Sequence, residues 1–108
     1  MPVYNKLVRD RIPEIIYKSG KKYSVRILDS GEYIKELQKK MYEELEEYIN
    51  AKNDENALEE LADILEIVHS LSEVHGGTID AVEEIRKKKA DERGGFKKRI
   101  LLQEVYDE

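Results

Sequence analysis

The period with which apolar and polar residues alternate changes several times along this chain. Residues 1–11, MPVYNKLVRDR, alternate in character and read as an extended lead-in, and Ile12-Pro13 then places proline in the first turn of a short helix that Gly20 should end. From Lys21 to Leu28, the apolar Tyr23, Val25 and Ile27 alternate with polar neighbours, which is the period of a strand with one buried face. Asp29 followed three residues later by Glu32 is a capping-box pattern, and it opens a long helix running to about Ala51. The polar stretch Asn53-Asp54-Glu55-Asn56 caps a second helix that continues to His75 and stops at Gly76-Gly77. So short a connection predicts antiparallel neighbours. Thr78 caps a third such helix, TIDAVEEIRKKKADER, closed by Gly94-Gly95. In the tail, Ile100 to Val105 is a β-like run suited to pair with the strand near residue 25. The expected fold is mainly α: one domain over 1–108, an antiparallel helical bundle with minor β strands near the termini.

Placing the two long helices on a wheel at roughly 100° per residue separates their carboxylates into two kinds. In the first, Tyr33, Ile34, Leu37, Leu45, Tyr48 and Ile49 fall within about 80° of Met41 and form a core-facing stripe. Glu44 lies inside that stripe and Glu47 at its edge, whereas Glu43 and Glu46 point to the far side. In the second, Ala57, Leu58, Leu61, Ile64, Leu65, Ile67, Val68 and Leu71 form a broad apolar face. Glu60 falls within it and Asp63 just outside, while Glu59, Glu66 and Glu73 share the solvent side. A carboxylate set into an apolar face must be neutralised, paired or bound to a metal, because burying it bare costs several kcal/mol. Chance alone produces some Glu-x-x-Glu in a chain with 40% charged residues, but only seldom two such clusters turned inward on adjacent helices.

Composition narrows the chemistry. A net charge of −5, from 19 basic and 24 acidic residues, argues against broad nucleic-acid binding, which calls for a basic footprint. There is no cysteine, so any metal must take oxygen or imidazole ligands. No run of about 18 apolar residues and no apolar N-terminal stretch predicts a membrane span or a signal peptide, and the expected location is cytoplasmic. An oxygen-rich site suits Mg²⁺, with Mn²⁺ as a substitute, better than zinc or copper. Such ions commonly share their shell with phosphate oxygens, which points to phosphoryl or nucleotidyl transfer with a water nucleophile. On the last helix the stripe of Ile79, Val82 and Ile85 turns basic, with Arg86, Lys89 and Arg93 on the same face and available to phosphates; a solvated helix end favoured by the dipole explains them equally well.

The pair Glu43-Glu44-x-x-Glu47 and Glu60-x-x-Asp63, with twelve residues between them across a turn, resembles the signature of the all-α nucleoside triphosphate pyrophosphohydrolases. That superfamily includes MazG, the dimeric dUTPases, the dCTP pyrophosphatases and phosphoribosyl-ATP pyrophosphohydrolase. The opening YNKLVRDRIPEII and the close ERGGFKKRILL resemble a short MazG-like subgroup, so the similarity covers nearly the whole chain. The resemblance implies that Glu44, Glu47, Glu60 and Asp63 bind Mg²⁺, and that Glu43 or Glu47 orients the water that attacks phosphorus. It implies a nucleotide substrate cleaved between its α and β phosphates. Asn5, Lys6 and Arg9 are further candidates for the phosphate side. Asp91 stands near where related sequences often carry Asn, a departure that bears on the phosphate-side details.

Other readings stay open. Within the class, phosphoribosyl-ATP could be the substrate. Glu66-x-x-His69 prompts a carboxylate-bridged iron bundle, which the wheel opposes, since Glu66 lies on the solvent side and no second Glu-x-x-His exists. The third is a non-enzymatic helical dimerisation module. Wide apolar faces on three helices in 108 residues lead us to expect a homodimer or homotetramer.

Overall fold

Four helices account for all regular structure among the described residues, which in this computed structural model are 3–107. Residues 1 and 2 of the lead-in and residue 108 of the tail lie outside that range. The helices are α1 (Ile12–Lys18), α2 (Ser30–Ile49), α3 (Asp54–Val74) and α4 (Ile79–Arg93). Each long helix begins where a side chain can satisfy its free N–H groups. Asp29 Oδ1 accepts from Glu32 N at 2.8 Å, and the Glu32 carboxylate accepts from Asp29 N at 3.4 Å, completing the box. Asn53 Oδ1 accepts from Asn56 N at 2.8 Å, and Thr78 Oγ1 from Ala81 N at 3.1 Å. Glycine closes α4: Gly94 takes φ +84°, a conformation that a β-carbon would strain.

Helices α2 and α3 make the principal packing, α4 lies against α3, and α1 touches no other helix. Leu37 from α2 and Ile67 from α3 are the only buried apolar side chains among the described residues, 4% and 6% exposed. The expected α3 face is open on one side, with Leu58 67%, Leu65 54% and Leu61 44% exposed while Ile67 at its other edge is buried, and Ile49 of α2 is 69% exposed. On α4, Ile79 is half-buried, while Val82 and Ile85 line an apolar groove of about 320 Å³ against Val68 and Leu71 of α3. Among the described residues no helix is long and apolar enough to cross a membrane.

The minor β strands expected near the termini do not form among the described residues. Period-two alternation supplies a face, but a strand also needs a neighbour to complete its hydrogen-bond ladder. The run from residue 21 to 28 has none: Val25 is 60% and Ile27 90% exposed. It is tied back by a side chain instead, with Arg26 donating through both terminal nitrogens to Glu32 at 3.0 Å each. The tail run is equally open, Ile100 and Val105 both remaining on the surface.

Candidate metal centre

Glu44 and Glu47 share one face of α2, three residues apart, and Glu60 comes from the facing surface of α3. The three carboxylates each offer an oxygen, and these oxygens lie within 4.8 Å of one another. Opposite oxygens around a hard divalent ion, bound at about 2.0–2.6 Å, are separated by roughly 4–5 Å, so the spread fits one ion. Glu44 is only 9% exposed. One oxygen of Glu44 and one of Glu60 are buried with no hydrogen-bond partner. Buried oxygens left without donors carry the desolvation cost of an unmade bond, and a cation would remove it. The cluster could therefore hold a metal ion.

The electrostatics follow from the same crowding. Burial, then the adjoining Glu60 carboxylate, then the charges of Glu47 and Asp63 push the Glu44 carboxyl up to about 7. With every carboxylate ionised none can donate to another. Protonated Glu44 can donate to Glu60, so a single shared proton relieves part of the repulsion.

The fourth expected ligand stands slightly apart. Asp63, one turn beyond Glu60 on α3, accepts a hydrogen bond from Arg9 Nη2 at 2.7 Å. The lead-in thus crosses the helix pair beside the cluster. Lys6 and Leu7 lie against α2 next to Glu36, Lys39, Lys40 and Glu43, around a hollow of about 10 Å³. That space is about one water's worth. Glu43, expected on the solvent side, is half-buried beneath this segment, because the wheel treats each helix alone and cannot register what a terminal strap covers. Asn5, in the same segment, has a left-handed backbone with φ +47° and is exposed.

The α4 cations are not brought to the carboxylates. Arg86 donates to Glu83 of its own helix at 2.8 Å, and Lys89 and Arg93 are exposed without an ion pair to the cluster among the described residues. Glu59 and Glu66 face solvent as the wheel places them, and so does His69. The Arg9–Asp63 pair is not visible in the sequence, since nothing in the spacing of a phosphate-side candidate and a metal-ligand candidate joins them. Comparison of the chain with family models, curated proteins and solved structures finds no match.

Proposed function

We propose that this chain is a Mg²⁺-dependent nucleoside triphosphate pyrophosphohydrolase, cleaving between the α and β phosphates to give a nucleoside monophosphate and pyrophosphate. The observation that carries the reading is the convergence of Glu44, Glu47 and Glu60, with two buried oxygens that have no donor. A hard, all-oxygen donor set favours Mg²⁺, with Mn²⁺ able to replace it. When bound, the ion supplies charge neutralisation on phosphate oxygens and a more acidic water.

The chain's own residues divide the remaining work. Glu44 and Glu60, walled by the apolar faces of an antiparallel helix pair, would hold the ion, and Asp63 would complete the set. Glu47 is exposed at the rim of the cluster, where it can accept a hydrogen bond from a water and take its proton as that water's oxygen bonds to phosphorus. Glu43 is the second candidate for that role. On the phosphate side Arg9 and Lys6 stand nearest the carboxylates, ahead of Arg86, Lys89 and Arg93. A cytoplasmic role in clearing unwanted nucleotides accords with this chemistry.

The test is a panel of canonical, deoxy and modified nucleoside triphosphates together with phosphoribosyl-ATP, incubated with Mg²⁺ and resolved by chromatography. Monophosphate and pyrophosphate should appear in equal amounts and cease on chelation. Release of orthophosphate in place of pyrophosphate, turnover undiminished by chelation, or no turnover of any substrate would overturn the proposal.

A further inference from the structure

Among the described residues, Asp63 is the one carboxylate near the cluster that already has a cation, and that cation belongs to a segment with little else holding it. Arg9 Nη2 lies 2.7 Å from Asp63 Oδ1, with the two side chains 56% and 40% exposed. An ion pair so open to water is weak, because solvent screens it and two long side chains lose freedom to keep it. It is also made through one nitrogen only, which leaves the rest of the guanidinium's donors free for a second anion. Residues 3–8 of the lead-in make no backbone hydrogen bond, among the described residues, that would fix their path. Asp63 itself sits one helical turn from Glu60 on α3, and its charge helps to raise the Glu44 carboxyl.

We propose that Arg9 is a metal-responsive latch: it neutralises Asp63 while the carboxylate cluster is free, and it passes to a phosphate of the nucleotide when a divalent cation draws Asp63 into the cluster. The inference rests on the reading of the cluster as a divalent-metal site. A guanidinium paired to Asp63 opposes the cation twice, by occupying a ligand and by adding positive charge nearby. Once released it becomes a phosphate donor beside the ion. The latch therefore makes metal alone a poor ligand and metal with nucleotide a good one, and it protects the free protein from a further unpaired carboxylate at an already crowded site.

The experiment is a titration with Mn²⁺ alone at low salt, followed by the electron paramagnetic resonance of the free ion, on wild type, Arg9→Gln and Arg9→Lys. Arg9→Gln should bind Mn²⁺ about fivefold more tightly than wild type, an advantage that shrinks at high salt. Arg9→Lys, which keeps the charge, should stay close to wild type. In parallel, the Arg9 side-chain Nε–H resonance in wild type should move on addition of Mg²⁺ toward its position in Asp63→Asn. Equal or weaker Mn²⁺ binding by Arg9→Gln, or an Arg9 resonance that ignores bound Mg²⁺, would overturn the latch and leave the metal site standing. Failure of wild type and Arg9→Gln alike to bind Mn²⁺ would overturn both.

Discussion

A carboxyl that loses its water without gaining a donor keeps its proton harder, and Glu44 is in that position. Its folded value of about 7 lies above the 4.5 of an unperturbed glutamate, so between these values the folded chain binds more proton than the unfolded one. The stability this group lends is fully present below about pH 4.5 and is lost as pH rises through 7. Without metal, the melting midpoint should fall from pH 5 to pH 8, and Glu44→Gln should flatten that fall. An identical slope in the variant would show that Glu44 is not responsible. A second contrast uses adjacent residues on α3. Glu60→Gln retains size but removes a charge from the cluster. It should abolish most pyrophosphohydrolase turnover and leave the metal-free protein at least as stable as wild type. Glu59→Gln, directed to solvent, should stay within a few-fold of wild type in the same assay. The reverse ranking would mean that the cluster is not where the chemistry occurs.

At the scale of the element, α3 depends on Asn53, whose side chain accepts the Asn56 N–H and lets the chain re-enter a helix after the short turn from α2. Asn53→Ala should cost about 1 kcal/mol, or a drop of roughly 4–8 °C in melting midpoint, measured by circular dichroism. A midpoint unchanged by the substitution would place the start of α3 under the control of packing alone. The caps at Asp29, Asn53 and Thr78 were legible in the sequence because capping is chemistry between residues three apart. The inward turn of Glu44 and Glu60 was legible for a related reason, since a wheel needs only one helix's own period. What resisted were features that depend on a distant partner. Val25 and Ile27 have a strand's alternation but no neighbouring ladder, and Arg9 lies 54 positions from Asp63, so only the folded chain brings them together.

For the molecule as a whole, the radius of gyration is 18.8 Å, against about 13 Å for a compact domain of this length. Its accessible surface is 10412 Å², where a compact monomer of this mass would expose about 6,200 Å². The excess includes the apolar Leu58, Leu61 and Leu65 on α3, surface of the kind that obligate dimers cover. Light scattering at micromolar concentration should therefore report a dimer or tetramer, and a monodisperse monomer would refute the expectation. The short turn between α2 and α3 has a bearing on how such a molecule comes into being. Glu44 and Glu60 are sixteen positions apart in the chain, a loop only somewhat longer than the ten residues that close in roughly 10–100 ns. Their repulsion is thus met early on the folding route rather than at its end. In neutral, metal-free solution it would act as a brake on the forward rate, with little effect on how fast the finished helix pair comes apart.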